Sequence, residues 1–519
     1  MKSEEAKNEL EIIAEQSNVA SNGVYYFFRL VSRSLMAFIV SIFLVRLLGP
    51  VNYGVYTIVT TYWGLFLMLS AVGIGSAVQY GIAKYRAKNR FASATWIVKH
   101  YFKILIATST IGSVAMFFLS GPISAAYKSP QMAELLQILA VGLLGYSIME
   151  TFSLNVYIGF QKLKYSFVSG LVFDFLRLLQ GSLIVFYFGL LGVITFYDVI
   201  YLVVAIISVY FIYKIFRQNP TKTDKLLRRK DVSELNKYNF FSYAINLIGY
   251  FYGPFIALFL GVIAPSLAAV SFYTVGSQMA AIISMPSGAL AAAFFATNTK
   301  YFENKRYKDF YRMLGLVLKY IALTTIPLAI GSLIAAGPLI LYFYRSALSD
   351  AVTPFMLIVT ATLITSIFSP ITSFLSAVGK QKHFMYSYAA GAIAGVAGLL
   401  FLVPLLLENG AALASMIAMF TALGVNLYFV SKYIRITLPY KIIGKISFAA
   451  LVMGAYIYII DAIVPLSLLP VVLVSGLGLY TAIVYYIRIL TLVDIKFFIK
   501  LGKLDGVVAK VFNLMGRKQ

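Results

Sequence analysis

Runs of twenty or so apolar residues, each closed by charges, glycine or proline, follow one another from residue 22 to residue 489 of this chain. A helix rising 1.5 Å per residue needs about twenty residues to cross the ~30 Å hydrocarbon core of a bilayer. The pattern therefore predicts about fourteen membrane-crossing helices, over 22–47, 54–80, 97–120, 133–158, 165–188, 191–215, 239–262, 268–297, 314–335, 352–378, 385–406, 409–433, 444–463 and 467–489. The polar positions between the runs alternate in kind. One set of loops carries Lys84, Arg86, Lys88 and Arg90, then Lys162 and Lys164, then Lys222, Lys225, Arg228, Arg229 and Lys230. It continues with Lys300, Lys305, Arg306 and Lys308, with Lys380 and Lys382, and with Lys432, Arg435 and Lys441; the other set holds only Arg46, Lys128 and Arg345. Short loops rich in lysine and arginine stay on the cytoplasmic side, so both termini are expected there.

The longest polar interruption, Arg217 to Lys237, splits the chain near its middle, and the two sides are related. Lys84-Tyr85 recurs as Lys300-Tyr301 and Gly121-Pro122 as Gly337-Pro338, both displaced by 216 residues, while Gly159-Phe-Gln-Lys162 recurs as Gly379-Lys-Gln-Lys382, displaced by 220. An even number of helices per repeat gives two halves of the same orientation, related by an axis along the membrane normal. The expected fold is thus all-α and polytopic: two parallel-repeat six-helix bundles plus a C-terminal helix pair. The expected organisation is a cytoplasmic tail (1–21), a first bundle (22–216), a cytoplasmic linker (217–238), a second bundle (239–434), an extra helix pair (435–490) and a basic tail (491–519). The first tail is acidic, with Glu4, Glu5, Glu9, Glu11 and Glu15, and reads as a short helix or a disordered arm. In the last, Lys496, Lys500 and Lys503 share one helical face opposite Ile495, Phe498 and Ile499, which suits either an amphipathic helix on anionic lipid or a solvated tail.

Composition sharpens this picture. The 519 residues are 61% hydrophobic and 12% charged, too little charge to cover a soluble protein of this size. The absence of cysteine excludes disulfides, thiolate metal sites and cysteine nucleophiles. A net charge of +24 would suit nucleic acid, but the basic residues fall in short loops and form no basic domain. The two histidines, His100 and His383, lie in or beside loops, and no His-Glu metal motif, P-loop or GxSxG elbow occurs. No metal or cofactor is expected, so transport would be driven by substrate supply or by a gradient of Na+ or H+.

Charges inside the apolar runs carry the functional argument, because ionisable groups in hydrocarbon are costly and usually face a cavity or a partner. They are Arg29 and Arg33 in the first run, Glu150 in the fourth, Asp174 and Arg177 in the fifth and Asp198 in the sixth, with nothing comparable in the second half. Arg29 and Arg33 are four residues apart and share a face. Arg29 is near enough to the helix end for its guanidinium to snorkel to the interface, whereas Arg33 is one turn (~6 Å) deeper and is the stronger cavity candidate. Asp174 and Arg177, spaced i,i+3, can neutralise each other or serve separately. Glu150, Asp174 and Asp198 are candidates for ion coupling or for bonds to neighbouring helices. The second half offers helix breakers instead: Gly253-Pro254, Pro286-Ser-Gly288 and Pro370, which suit either gating bends or packing.

The first hairpin, Arg46-Leu-Leu-Gly49-Pro50-Val-Asn-Tyr53-Gly54-Val-Tyr56, resembles the signature of polysaccharide-type flippases of the multidrug/oligosaccharidyl-lipid/polysaccharide export superfamily. Gly121-Pro122, the two Gly-x-Gln-Lys turns and the closing Arg488-Ile-Leu-Thr491-Leu-Val-Asp494 extend the likeness over almost the whole chain. The resemblance implies a lipid-linked oligosaccharide flippase rather than an enzyme. Such a protein carries a polyprenyl phosphate- or pyrophosphate-linked sugar across the cytoplasmic membrane by alternating access. Arg29, Arg33 and Arg177 would hold the phosphates, and the lipid tail would enter between the first and eighth helices. The implied partners are membrane lipids and a glycan polymerase or glycosyltransferase, around a monomer. A cation-coupled drug exporter of the same superfamily stays open, as does a membrane glycosyltransferase or polymerase using Glu134, Asp350, Glu408 or Asp461 at the outer face.

Overall fold

The computed structural model describes residues 2–218, 229–378 and 380–489. The loop lysines Lys222 and Lys225, the turn residue Gly379 and the basic tail with Lys496, Lys500 and Lys503 lie outside them. Eleven helices among the described residues are long and apolar enough to cross a membrane. Three of them, Ser32–Ala71, Leu163–Gln218 and Gln381–Ser431, double back on themselves. In the first, Arg33 pairs with Glu150 while Trp63 stacks on Tyr146, one turn away on the same helix. In a straight helix residues 33 and 63 would stand ~45 Å apart. In the second, Gln180 donates to the Val193 carbonyl at 2.7 Å; in the third, Gly398 faces Ala414. The reversals fall at Gly49 (φ 75°), Gly189 (φ 57°) and Leu407 (φ 48°). Two of these are glycines, which enter the left-handed region without a Cβ penalty.

Fourteen passes result. The first six are α1 (2–48), α2 (50–86), α3 (Phe91–Ala126), α4 (131–159), α5 (163–188) and α6 (190–218). The next six are α7 (229–263), α8 (Ala268–Glu303), α9 (Tyr307–Ile334), α10 (Val352–Thr372), α11 (381–406) and α12 (408–431), and the last two are α13 (Tyr440–Asp461) and α14 (Leu469–Tyr486). Most are longer than the apolar run that announced them, because the helix carries on past the hydrocarbon into charged residues. Several are irregular inside. α2 breaks at Val72 and Gly73, both with positive φ, and α7 breaks at Gly253, where Pro254 opens the second segment. α4 and α5 each contain a π-helical turn, Ser147–Ser153 and Gln180–Ile184.

The duplication is written into backbone turns that no side chain dictates. Asn89 (φ 54°) and Lys305 (φ 56°) are both left-handed and 216 residues apart. The amides that follow, of Arg90 and Arg306, donate to the carbonyls of Tyr85 and Tyr301, both at 2.9 Å. Later in the repeat the displacement is 218: the Lys162 amide bonds Tyr157 and the Lys380 amide bonds Leu375, both at 2.8 Å. This corrects the 220-residue register of the two Gly-x-Gln-Lys motifs. Their matching letters stand two positions out of structural equivalence, because the turn, not the side chains, defines the repeat. α13 packs outside the second bundle on α9, where Gly454 receives Ile330 and Ile334, and Tyr480 of α14 donates to the Leu323 carbonyl at 2.9 Å.

The two bundles meet at one end. Arg46 donates from Nε to the Phe343 carbonyl (2.6 Å) and from Nη2 to the Tyr342 carbonyl (2.5 Å), at the C-terminus of the short helix Ala336–Tyr344. Ser271 donates to the Pro50 carbonyl, Tyr53 to Gln278, Tyr127 to the Leu258 carbonyl and Tyr250 to the Thr61 carbonyl. Gly54 lies against the backbone of Leu267, an approach that only a missing side chain permits. At the opposite end, the hydrogen bonds and ion pairs found between the halves among the described residues join the first turns of α7 to the first bundle. Lys84 bonds Glu234 at 2.7 Å and Tyr101 bonds Asn236 at 2.7 Å. The hairpin signature thus forms much of one closed end.

Candidate functional site

The charged groups of the first bundle gather between α1, α4, α5 and α6. Arg29 is buried, and its Nη1 donates to the Ser166 hydroxyl of α5 at 2.5 Å. Its stem passes over Gly170 of α5. Snorkelling is therefore not what this side chain does: it turns inward to α5. Arg33 reaches α4 instead, with Nη1 donating to Oε2 of Glu150 at 2.9 Å and Nη2 lying 2.7 Å from Oε1. Glu150 rides on the π-helical turn Ser147–Ser153, where one extra residue per turn swings the carboxylate off the regular helical track. The Arg33 side chain has α1, α4 and the Phe173 ring of α5 around it, yet keeps 40% of its surface accessible, against 15% for Glu150. It therefore faces open space between helices.

Asp174 and Arg177 do not pair with each other, which corrects the i,i+3 pairing open from their spacing. Asp174 accepts the Ser32 hydroxyl of α1 at 2.6 Å. Arg177 turns the other way, its guanidinium carbon 5.1 Å from the Tyr197 ring centre and 5.9 Å from that of Phe173. One of these aromatic faces, Tyr197, comes from α6 and the other, Phe173, lies one turn back on α5 itself. Among the described residues its Nε has no hydrogen-bond partner. Phe173 sits between two cations, since Arg33 approaches the same ring at 5.6 Å. Behind this lies an aromatic wall: Trp63 stacks on Tyr146 at 4.4 Å and meets Tyr201 edge-on at 5.0 Å, and Tyr56 bonds Tyr197 at 2.8 Å.

Three guanidinium groups thus share a cluster with two carboxylates, which leaves the cluster net positive at neutral pH. Measured along the helices from the closed end, Arg177 is ~18 Å deep, Arg33 ~24 Å and Arg29 ~30 Å. Asp198 stands apart. It packs against Gly142 on α4, ~13 Å from the turn at Gly189, and among the described residues no side chain pairs with its buried Oδ1.

Sequence reasoning missed several members. Ser32 and Ser166 carry no charge to mark them, although Ser32 adjoins Arg33. Tyr197 and Tyr201 are four residues apart on α6, a helical-face signal that could have been read. Lys319 lies on α9, within the predicted span 314–335, and is 9% exposed. The expectation that the second half holds no deep charge is therefore corrected: one buried lysine is there, beside the Tyr320 ring at 5.7 Å. Of the breakers, Gly253-Pro254 interrupts its helix, whereas Pro286 lies inside a continuous α8, beside Gly288, and Pro370 is buried near the end of α10.

With this geometry in hand, the sequence profile of the polysaccharide biosynthesis protein family matches residues 19–296. The chain belongs to that family. No curated protein sequence matches it. Among solved structures it is similar to the lipid II flippase MurJ in an inward closed conformation, with a TM-score of 0.67 at 15% identity, covering 90% of this chain and 98% of that one. It is also similar to an inward-facing multidrug resistance MATE transporter of the MOP superfamily (TM-score 0.63, 12% identity, 78% and 96% covered). A third is a MOP superfamily transporter from Pyrococcus furiosus with a binding pocket of reversed polarity (TM-score 0.54, 14% identity, 80% and 95% covered). These neighbours are transporters and flippases rather than enzymes. The family member described here is a multi-pass helical membrane protein that shares the fold of these neighbours.

Proposed function

We propose that this transporter flips a polyprenyl phosphate- or pyrophosphate-linked oligosaccharide across the cytoplasmic membrane, with Arg29, Arg33 and Arg177 as the phosphate-binding cations. The observation that carries the reading is the excess of guanidinium groups over carboxylates in the first bundle. A phosphate ester, with two or more acceptor oxygens, fits planar guanidinium donors, while a cationic drug would meet net repulsion there. Both termini are taken as cytoplasmic from the lysine-rich loops, so the closed hairpin end is the outer one and the described state opens inward. Alternating access then requires the Arg46, Pro50, Tyr53 and Gly54 contacts to part while the cytoplasmic ends converge. Residues 22–216 and 239–434 would move as two bodies, with Gly253-Pro254 the bend best placed to absorb the change. Asp198 is the first candidate for sensing a cation gradient, since Glu150 and Asp174 are engaged with Arg33 and Ser32. The protein would act as a monomer beside the polymerase or glycosyltransferase that uses its product.

The test is reconstitution in vesicles, comparing inward-to-outward movement of a fluorescent polyprenyl diphosphate sugar with that of a lipophilic cation. The sugar lipid is expected to move and the cation not. Movement of the cation alone would identify a drug exporter.

A further inference from the structure

We propose that Glu150 is a resident stand-in for the substrate's phosphate: it occupies the Arg33 guanidinium in the empty carrier and is displaced when a multiply charged headgroup arrives. This deepens the phosphate-site reading above and rests on it. Arg33 Nη1 donates to Glu150 Oε2 at 2.9 Å and Nη2 lies 2.7 Å from Oε1, so the carboxylate sits across the two terminal nitrogens that a phosphate would engage. The guanidinium side remains open, 40% accessible against 15% for the carboxylate, so a ligand can approach Arg33 without first removing Glu150. Glu150 sits on a π-helical turn, an element one residue out of register that can shift back with a small local rearrangement. Asp174 makes the contrast: a serine hydroxyl holds it, not an arginine, so it blocks no cation.

The consequence is selectivity. A headgroup must out-compete a carboxylate already in place, and the carboxylate repels any anion that fails to displace it. A diphosphate, which can also engage Arg177, does this readily. A bilayer phospholipid with a single phosphodiester charge does not, although it is present in vast excess. Glu150 therefore keeps bulk anionic lipid out of a cationic site that opens into the membrane.

The chain contains two tryptophans, Trp63 and Trp96. Trp63 stacks on Tyr146, one turn before Glu150, so in a Trp96→Phe background its fluorescence reports on the site. Purified protein in neutral detergent micelles is titrated with a polyprenyl diphosphate and, separately, with phosphatidylglycerol. In the protein with Glu150 the diphosphate is expected to bind and phosphatidylglycerol to give no saturable response. Glu150→Gln is expected to bind the diphosphate about tenfold tighter or more, from the usual strength of a charge-assisted bond, and to respond to phosphatidylglycerol as well. Glu150→Asp, whose shorter carboxylate draws back from Arg33, should shift both in the same direction and serves if the glutamine variant does not fold. Diphosphate binding that both variants leave unchanged or weaken overturns the displacement and leaves the phosphate site standing. No diphosphate response with either glutamate or glutamine at position 150 overturns the phosphate site itself.

Discussion

Gly54→Ala should open the end at which the two bundles meet, the outer end on the proposed topology. A Cβ at that position would overlap the Leu267 carbonyl oxygen and lie 2.7 Å from its carbonyl carbon, where ordinary contact begins at 3.4 Å. So α2 and the residue that precedes α8 must part by well over the 0.7 Å that the carbon alone requires. Neither atom group can rotate away, because the obstacle is backbone. Overpacking of this kind costs ~1–3 kcal/mol, and the cost falls only on the state in which the two bundles touch. The equilibrium should move toward the outward-open state by roughly tenfold, taking the middle of that range. Gln278 lies eleven residues along α8 from Leu267, ~16 Å behind the closure, and bonds Tyr53 across it. In this cysteine-free chain, Gln278→Cys can be labelled with a membrane-impermeant thiol reagent from the outside. Adding Gly54→Ala should speed that labelling several-fold. Gly75→Ala is the control: its Cβ would meet the Asn155 side chain and, at 2.8 Å, the Thr151 carbonyl oxygen, a clash that lies within the first bundle. Equal labelling with glycine or alanine at position 54, in protein that still folds, would refute the assignment of the hairpin signature as the outer closure.

Other outcomes follow from the same contacts. Arg177→Ala should abolish most headgroup affinity and Arg177→Lys only part of it, since lysine keeps charge but loses the stacking plane; equal loss in both would point to a structural role. Asp198→Asn should flatten the dependence of flipping rate on an imposed Na+ or H+ gradient, whereas Asp174→Asn should not, a difference read in vesicles with and without the gradient. On the linker, Glu234 is held below the ordinary carboxylate range by its hydrogen bond from Lys84. A depressed folded pKa stabilises above the unfolded value of about 4.3 and is lost as pH falls through the folded one. Docking of the first turns of α7 should therefore be intact at neutral pH and weaken below about pH 4. Hydrogen exchange over 229–240 checks this, and in Lys84→Ala it should already be faster at neutral pH.

Much of the architecture was legible because hydrocarbon imposes a length and an alternation of loop charge on the chain. Gly49-Pro50 announced the first reversal, and the 216-residue offset announced the second bundle. The third reversal falls where the predicted spans 385–406 and 409–433 break, but no local preference marks Leu407, a leucine, as the residue that takes the positive φ. The site was half legible. Buried charge flagged Arg29, Arg33, Glu150, Asp174, Arg177 and Asp198 as the residues needing explanation, but not their partners. Spacing along one helix offered Asp174 to Arg177, whereas the fold brought Ser32 and Tyr197 closer from other helices. The π-helical turn under Glu150 has no sequence mark of its own, and Lys319 was passed over because one lysine does not break an apolar run.

The central claim is that the arginines of the first bundle hold the phosphates of the cargo. A cryo-EM structure of the protein in a lipid nanodisc with a polyprenyl diphosphate sugar tests it most directly. The account predicts phosphate density within ion-pair distance of Arg177 and Arg33, with the Glu150 carboxylate withdrawn from Arg33. Phosphate density in the second bundle beside Lys319, with the Arg33–Glu150 pair still closed, would contradict it.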